Sequence, residues 1–576
     1  MALSSLAITE RSVMLPSMRT LLTTLHSKYI HASLALPYLA AYCRNTCDEI
    51  LIREYTLKEP KETILAQIVA CRPDVVCFSV YLWNRVATLE LVDCLKRIDP
   101  GLRIVLGGPE ISFEDERFFS HHPVDALICG EGERPFRELL LAWQDDRVPD
   151  PFPGLRTCSD PVDRGRSLLA DLDDIPSPFA MNLVDLKRGL VYFESSRGCP
   201  YSCSFCMSAL DDQVRSFSAG RISDDLMLLM ERRVPQIKFV DRTFNYDNAR
   251  AREIFSLILK HNRSSRFHFE IGAHLFDDET LDLLETVPDG MFQFEIGVQS
   301  TLPQTLAAIE RKAPLDRLLE NVRRLRQRTA IHLHLDLVAG LPGEGLEDFL
   351  RSLDRVDGLH AGHVQLELVK LLPGAPLRAQ AERFGIIYDP NPPYTILRSQ
   401  ELDYSQLEKL RGIGRLLDLI VNSRRFLFLL PALKERFGGL SAFLDDLDRY
   451  WRKHELYRRS LSLRELYFTV HDYLVHSFDD QYRRVSQELL ARDYAHQERV
   501  VGGSAPEFFD TDLSVEEVAS VKERVKGELD GLKRDGKVQF FAAAFRHLPE
   551  CPERRILIFL YLTASGKGLR VKELFL

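Results

Sequence analysis

The stretch Ser196-Arg-Gly-Cys-Pro-Tyr-Ser-Cys-Ser-Phe-Cys206 places Cys199, Cys203 and Cys206 in a CxxxCxxC pattern. Three thiolates on one short loop can bind three irons of a [4Fe–4S] cluster and leave the fourth iron for another ligand. The preceding run, Val191-Tyr-Phe-Glu-Ser, predicts a buried strand. The pattern therefore predicts an iron–sulfur cluster at the C-terminal end of a strand, where α/β barrels carry their chemistry.

Two other uses of these cysteines fit less well. A zinc knuckle usually shows a second CxxC or a histidine pair, and none lies nearby in the sequence. A disulfide framework is disfavoured because the 11 cysteines among 576 residues are scattered, as expected for small core residues in a reducing cytosol.

Further strand-like runs follow the cysteine loop, each apolar over four to eight residues, ending in a polar residue and leading into an amphipathic, helix-length segment. They include Lys238-Phe-Val-Asp-Arg-Thr-Phe, Phe267-His-Phe-Glu-Ile, Phe292-Gln-Phe-Glu-Ile-Gly-Val-Gln-Ser and His332-Leu-His-Leu-Asp-Leu-Val-Ala-Gly. Counted from Val191, six such strands end near Lys370. This alternation predicts a parallel, partial (β/α)6 barrel.

Residues 20–148 form a separate α/β unit that ends at the proline-rich run Pro149-Asp-Pro-Phe-Pro-Gly. Its three buried strands are Val75-Val-Cys-Phe-Ser-Val, Arg103-Ile-Val-Leu-Gly-Gly-Pro and Ala126-Leu-Ile-Cys-Gly-Glu-Gly-Glu, with helical stretches between them. This layout predicts a doubly wound, Rossmann-like domain whose ligand lies at the C-terminal strand ends. The Gly-Gly-Pro run is also an ordinary turn signal.

The cysteine triplet and the strand before it resemble the radical SAM enzymes. The resemblance implies that S-adenosylmethionine binds the free iron and is cleaved reductively to a 5'-deoxyadenosyl radical. It also implies that S-adenosylmethionine is contacted by Glu270, Gln299, Arg311 and Asp336. Each carboxylate alone also fits a helix N-cap or the partner of an arginine. The run Asp241-Arg-Thr departs from the glycine-rich turn common at the second strand's end, so the ligand of the methionine amino group stays open.

The N-terminal unit resembles the cobalamin-binding domain of the cobalamin-dependent radical SAM class. The matching runs are Lys28-Tyr-Ile-His-Ala-Ser, Phe78-Ser-Val-Tyr-Leu-Trp-Asn, Leu106-Gly-Gly-Pro-Glu and Gly130-Glu-Gly-Glu. The resemblance implies cobalamin contacts from Ser79, Tyr81, Gly107, Gly108, Gly130 and Glu131. The Asp-x-His-x-x-Gly signature of cobalamin mutases is absent around His31, which is therefore no obvious cobalt ligand and also fits a core or surface histidine.

From Lys28 through Asn391-Pro-Pro-Tyr, the chain is similar to a largely uncharacterised family with a C-terminal domain of unknown function. We therefore expect a flexible N-terminus at 1–19, the cobalamin-binding domain at 20–148, a linker at 149–190, the radical SAM barrel at 191–385 and a mostly α-helical domain at 386–576. The resemblance implies radical-based methyl transfer to an unactivated carbon. Alternatives are a cobalamin-using rearrangement without methyl transfer and a non-catalytic carrier or chaperone.

Partners and location are less defined by the sequence. The substrate, a small molecule, peptide or RNA, and the catalytic residues stay unassigned, and an electron donor such as flavodoxin or ferredoxin is expected. The net charge of −9 argues against a protein-wide nucleic-acid surface. The basic and aromatic stretch 449–468 fits either RNA contact or an amphipathic helix. With no run of 18 apolar residues, we expect no membrane span and a cytoplasmic location.

Overall fold

The computed structural model describes residues 18–28, 33–47, 49–211, 213–532, 537–549, 553–564 and 567–576. The predicted flexible start before residue 18 and His31 lie outside these ranges. The strands are β1 (Arg19–His26), β2 (Glu49–Thr56), β3 (Val75–Ser79), β4 (Arg103–Gly107), β5 (Ala126–Ile128), β6 (Leu155–Thr157), β7 (Leu190–Phe193), β8 (Ser196–Arg197), β9 (Arg215–Ser216), β10 (Gln236–Phe239), β11 (Arg266–Glu270), β12 (Phe292–Gln299), β13 (His332–Ala339), β14 (His363–Leu368), β15 (Ile387–Tyr388), β16 (Ile396–Arg398), β17 (Lys537–Phe545), β18 (Arg555–Ala564) and β19 (Lys567–Phe575).

The α-helices are α1 (Ala35–Tyr42), α2 (Lys61–Ala70), α3 (Arg85–Ile98), α4 (Phe118–His121), α5 (Glu133–Gln144), α6 (Ala219–Glu231), α7 (Asn248–His261), α8 (Asp278–Leu284), α9 (Pro303–Ala308), α10 (Leu315–Arg328), α11 (Leu346–Asp357), α12 (Pro376–Ala379), α13 (Tyr404–Leu416), α14 (Leu429–Phe437), α15 (Leu440–Lys453), α16 (Leu463–Ser477), α17 (Asp480–Gln497) and α18 (Val515–Leu532). The chain divides into two compact units. The first comprises the described residues up to His334 together with Gly340–Gly343 and Val369–Asp403, and the second comprises Leu335–Ala339, Glu344–Leu368 and the described residues from Tyr404 onward.

The N-terminal sheet has the strand order β2-β1-β3-β4-β5-β6. The first five strands in this order, β2, β1, β3, β4 and β5, are parallel, and β6 is antiparallel to β5. Successive residues of β3 pack on opposite faces, since Val76 and Phe78 belong to one apolar cluster and Val75 and Cys77 to another. A sheet buried on both faces is the doubly wound layout expected from the sequence. Strand β6 lies within the segment predicted as a linker, and the domain boundaries stay predictions.

In the first unit, the strands of the second sheet have the order β7-β10-β11-β12, and β13 and β14 are the other two of the six predicted strands. Strands β7, β10, β11 and β12 pair in parallel. In β12, buried residues such as Phe292 and Phe294 alternate with half-buried residues such as Glu295 and Gln299. This alternation directs one set of side chains toward the helices and the other toward the concave face.

The C-terminal part of the second unit is mostly helical, as predicted, but it ends in an antiparallel sheet of β17, β18 and β19 that the sequence analysis did not predict. Within the basic and aromatic stretch 449–468, Trp451 is 2% exposed and Tyr467 is fully buried. Their rings therefore do not present faces for stacking on RNA bases. Among the described helices, none has the length and apolar character needed to cross a membrane.

Candidate functional site

The cysteine loop lies between the short paired strands β8 and β9. The amide of Cys199 donates to the carbonyl of Asp211 at 3.1 Å, and the amide of Cys206 donates to the carbonyl of Cys203 at 3.0 Å. Gly198 has a φ of +90°, and a Cβ there would overlap the carbonyl oxygen of Gln213. Only glycine adopts this φ without strain and has no Cβ to overlap the carbonyl, which explains the glycine directly before Cys199.

The middle of the loop is held from two sides. The amide of Ser204 donates to the carbonyl of Ile309 at 2.9 Å, and the amide of Leu377 donates to the carbonyl of Ser204 at 2.7 Å. Leu377 follows the barrel in sequence, so residues beyond β14 return to support the cysteines.

The donor set fits a cluster with one open iron. Cys199 and Cys203 are buried and Cys206 is half-buried. Burial raises the pKa of the Cys203 thiol, and Arg311, whose Nη1 lies 3.7 Å from Cys203 Sγ, partly offsets this by favouring the thiolate. In the part of the chain that the structure describes, no three His, Cys, Asp or Glu side chains are placed to bind a single metal ion. A [4Fe–4S] cluster does not need such convergence, because each thiolate binds a different iron.

Gln299 and Arg311, both predicted to contact S-adenosylmethionine, lie together beside Cys203. Arg311 Nη2 donates to the carbonyl of Gly297, and a Cβ on Gly297 would overlap the Gln299 amide. Gln299 has a φ of +71° at the end of β12, a strained conformation that clusters at functional sites. Its buried Oε1 accepts no hydrogen bond within the described residues, so it can accept one from a ligand hydroxyl or amine.

The two predicted carboxylates lie in different compact units. Glu270 ends β11 in the first unit. Asp336 lies in the middle of β13, in the second unit, and not at a strand end as the sequence suggested. The regular alternation of β13 continues for three residues beyond it, because Leu337 and Ala339 still pack in the core. The roles of both carboxylates stay predictions.

The turn after β10 is fixed by the carboxylate of Asp241. This buried group accepts hydrogen bonds from the Ser195 amide at 3.1 Å, the Ser195 hydroxyl at 2.6 Å and the Ser196 hydroxyl. Burial raises the pKa of Asp241, and these hydrogen bonds partly offset the increase. The run that departs from the usual glycine-rich turn is therefore a rigid link between the ends of β7 and β10.

A cavity of about 770 Å³ opens at the C-terminal edge of the N-terminal sheet. Its lining includes every residue predicted to contact cobalamin: Ser79, Tyr81, Gly107, Gly108, Gly130 and Glu131. The lining also includes Arg197, Gly198 and Met207 from the cysteine loop, whereas Glu270, Gln299 and Arg311 do not line it. The cavity therefore joins the predicted cobalamin site to the cysteine loop within the first unit.

Trp83 lies within the run Phe78-Ser-Val-Tyr-Leu-Trp-Asn, and nothing in that run singles it out as a cavity residue. The Trp83 ring stacks on Tyr81 with centroids 4.5 Å apart, and both line the cavity. The indole N–H donates to the carbonyl of Leu25 at 3.1 Å, which fixes the orientation of the pair. A fixed flat aromatic surface and glycines at the strand ends fit a large planar ligand such as a corrin.

Glu131, which is predicted to contact cobalamin, takes part in a network of ion pairs and hydrogen bonds. Its carboxylate accepts from the Leu169 amide at 2.7 Å and pairs with Arg215 at 2.6 Å and with Arg197 at 3.6 Å. Arg197 also pairs with Glu133 at 2.7 Å and Glu194 at 3.0 Å. We call Arg197 and its three carboxylates the arginine cluster. It joins the loop after β5 to the cysteine loop, and burial raises the pKa of Glu194 to about 7.

A second connection reaches the loop after β4. The Tyr394 hydroxyl donates to the buried carboxylate of Glu110. A Cβ on Gly374 would overlap the ring of Phe113. The segment Val369–Asp403 therefore contacts both the cysteine loop and the loop that carries the predicted cobalamin glycines.

Gly108 and Gly107 provide a matched test of this loop. Gly108 has a φ of +106°, and a Cβ there would lie 2.5 Å from the carbonyl oxygen of Val80, whereas a Cβ on Gly107 would lie 3.5 Å from Ile128 Cβ. We expect Gly108→Ala to lower the free energy of unfolding by about 1–3 kcal/mol and Gly107→Ala by less than about 1 kcal/mol. Urea denaturation of both variants measures the difference. Equal losses would show that the backbone contact with Val80 is unimportant.

An ion cluster lies among the barrel strands of the first unit. Glu295 on β12 pairs with His268 on β11 at 2.8 Å and with Lys238 on β10 at 3.4 Å. The hydrogen bond from His268, followed by the charge of Lys238, lowers the pKa of Glu295 to about 2 despite its burial.

This lowered pKa predicts a pH dependence of stability. The ionised Glu295 stabilises the fold above its usual pKa, and the contribution is lost as the pH falls from 4.5 through about 2. We expect Glu295→Gln to cost up to about 3 kcal/mol near neutral pH, with the difference from the parent shrinking at lower pH. Urea denaturation across this range measures it, with the exposed Glu320→Gln as the control. A difference that does not vary with pH would contradict the assignment.

Three family models match the chain. The B12 binding domain matches residues 21–140, the Radical SAM superfamily matches residues 193–356, and a protein family of unknown function, DUF4080, matches residues 382–533. Successive segments of the chain therefore match a B12 binding domain, a radical SAM domain and a domain of unknown function. These matches confirm the resemblance and the two cofactor-binding domains inferred from the sequence.

Two curated methyltransferases are similar to part of this chain. The cobalamin-dependent radical SAM methyltransferase TokK of Streptomyces tokunonensis is 32% identical over 390 residues, which cover 61% of this chain and 56% of TokK. The 2-(S-pantetheinyl)-carbapenam-3-carboxylate methyltransferase of Streptantibioticus cattleyicolor is 31% identical over 342 residues, covering 54% of this chain and 49% of that enzyme. The chain spans about half the length of these relatives.

Solved structures share the fold. The cobalamin-dependent S-adenosylmethionine radical enzyme OxsB, with aqua-cobalamin bound, aligns with a TM-score of 0.59 at 16% identity, covering 89% of this chain and 84% of OxsB. The methyltransferase TsrM from Kitasatospora setae, with cobalamin and a [4Fe–4S] cluster bound, aligns with a TM-score of 0.54 at 19% identity, covering 68% of this chain and 81% of TsrM. At these identities the likeness shows the fold alone.

Proposed function

We propose that this chain is a cobalamin-dependent radical SAM methyltransferase that transfers a methyl group to an unactivated carbon. The observation that carries the proposal is the single cavity lined both by the predicted cobalamin residues and by the loop of Cys199, Cys203 and Cys206. Transfer between two cofactors requires such proximity, because the reacting groups must be held within a few ångströms.

Different residues of the chain have different roles in this proposed function. In the first unit, Cys199, Cys203 and Cys206 would hold the cluster, and Gln299, Arg311 and Glu270 would hold S-adenosylmethionine. Tyr81, Gly107 and Gly130 would contact cobalamin. When bound, the reduced cluster and S-adenosylmethionine supply a 5'-deoxyadenosyl radical, and cobalamin supplies a methyl group. The protein orients these groups and excludes water from the buried loop.

Glu131 connects parts of this site through ion pairs and a hydrogen bond. Its carboxylate is occupied by Arg197, Arg215 and the Leu169 amide. We therefore propose that it holds the cysteine loop against the cobalamin-binding domain, in addition to its predicted contact with cobalamin. The cytoplasmic location and an electron donor such as flavodoxin or ferredoxin complete the proposal.

Anaerobic reconstitution with iron, sulfide and hydroxocobalamin, followed by S-adenosylmethionine and a reductant, tests this function. We expect cobalamin to stay with the protein on gel filtration and mass analysis to find 5'-deoxyadenosine together with S-adenosylhomocysteine. 5'-Deoxyadenosine without S-adenosylhomocysteine would favour a radical rearrangement. Absence of both products from the fully loaded protein would favour a carrier or chaperone and overturn the proposal.

A further inference from the structure

Arg242 is a cavity-lining cation that the proposed function does not use. It is exposed, lines the cavity and forms no ion pair with the described residues. It stands in the run Asp241-Arg-Thr, where the sequence departs from the usual glycine-rich turn.

The backbone that carries Arg242 is held on both sides. The amide of Val240 donates to the carbonyl of Phe193 at 2.9 Å, and the amide of Phe244 donates to the carbonyl of Glu270 at 2.8 Å. The neighbouring Asp241 is fixed by Ser195 and Ser196. The backbone position of Arg242 is thus set before any ligand binds, which lowers part of the entropic cost of binding.

The turn also places Arg242 beside the cluster loop. The hydroxyl of the next residue, Thr243, lies 3.5 Å from Cys199 Sγ. Arg242 therefore lies where the cavity meets the cysteine loop, which is the place a substrate must occupy if it reacts between the two cofactors.

Among the described residues that line the cavity, no carboxylate pairs with Arg242. The three lining carboxylates, Glu131, Glu133 and Glu194, all pair with Arg197, and Glu131 also pairs with Arg215. Arg166, the third arginine among the described lining residues besides Arg197 and Arg242, lies over the ring of Phe113 at 4.5 Å from its centroid.

Arg166 and Arg242 have different neighbours. A Cβ on Gly130 would lie 2.9 Å from Arg166 Cβ, so Arg166 belongs to the cobalamin side of the cavity. Arg166 therefore lies among the residues proposed to contact cobalamin, whereas Arg242 is carried by the turn after β10.

We propose that Arg242 binds the anionic group of the substrate, a carboxylate or a phosphate, so that the site selects an acidic small molecule. A guanidinium binds either group through two parallel hydrogen bonds. The proposal rests on the proposed function, because it takes the substrate to lie between the two cofactors. S-Adenosylmethionine carries a carboxylate too, so the experiment separates the two sources.

Phenylglyoxal labelling of the full-length, cluster- and cobalamin-loaded protein, resolved by peptide mass spectrometry, tests the proposal. The probes are inorganic phosphate, acetate, S-adenosylmethionine and its decarboxylated analogue. We expect phosphate or acetate to slow labelling of Arg242 by about tenfold, and neither nucleoside to slow it. Arg97, which is exposed and outside the cavity, is the internal control and should react equally in every sample.

Several results would overturn the proposal. Protection of Arg242 by S-adenosylmethionine but not by its decarboxylated analogue, or by both nucleosides, would assign the arginine to the nucleoside. Loss of Arg242 reactivity on loading cobalamin alone would assign it to cobalamin. No protection by either anion would show that the arginine binds no anion. Labelling requires no turnover. Failure to form 5'-deoxyadenosine would therefore count against the proposed function without affecting the anion-binding result.

Discussion

Replacing Cys199, Cys203 and Cys206 together with alanine is expected to abolish the broad cluster absorbance near roughly 400 nm and all 5'-deoxyadenosine formation. The reason is that these residues supply every protein ligand of the proposed cluster, on a loop fixed by hydrogen bonds at Cys199, Ser204 and Cys206. Iron and sulfide analysis and product mass spectrometry after anaerobic reconstitution measure both effects.

The matched control replaces three cysteines that lie away from the loop, Cys71, Cys94 and Cys158, none of which is buried. This control should keep the cluster and its products. If the site variant still cleaved S-adenosylmethionine, the radical SAM function would be wrong. If both variants lost the cluster equally, the loss would reflect general damage to the fold.

Arg197→Met is expected to lower the free energy of unfolding by about 3–5 kcal/mol, because it leaves the carboxylates of the arginine cluster without their shared cation. The side chain of Arg197 is 12% exposed, and that of its partner Glu133 is 6% exposed. The methionine keeps the side-chain volume but removes the charge. Urea denaturation measures the loss, and iron content reports whether the cysteine loop still binds its cluster.

Two further variants make this prediction specific. Arg323→Met breaks an exposed ion pair with Glu320 and should cost less than about 1 kcal/mol. Adding Glu133→Gln to Arg197→Met removes one uncompensated carboxylate and should restore part of the stability. A loss at Arg197 no greater than at Arg323 would show that the arginine cluster contributes little.

The barrel and the cysteine loop could be predicted because their signals are local. Each strand is a short apolar run before a helix, and Gly198 directly precedes the first cysteine. The long-range contacts that support the site could not be predicted from local signals. Arg197 and Glu133 lie 64 residues apart, and Tyr394 and Glu110 lie 284 apart. Only the folded arrangement of the first unit brings such partners together.

Two features of the site depend on distant partners or on packing. The motif that contains Glu131 did not predict that Arg215, 84 residues away, pairs with its carboxylate. Asp336 was expected at a strand end, but β13 continues through Ala339. Local patterns identify residue types at an edge of a sheet, whereas their partners and the ends of strands depend on packing.

The return of Val369–Asp403 to the first unit has a consequence for synthesis of the protein on the ribosome. The amide of Leu377 donates to Ser204 in the cysteine loop. Leu377 is translated about 170 residues after Cys206, a delay on the order of ten seconds or more. During that interval the loop lacks one of its backbone supports. The part of the DUF4080 match that overlaps this segment contributes Tyr394, whose hydroxyl donates to Glu110 in the first unit. Stable insertion of the cluster is expected to follow the emergence of Leu377 from the ribosome.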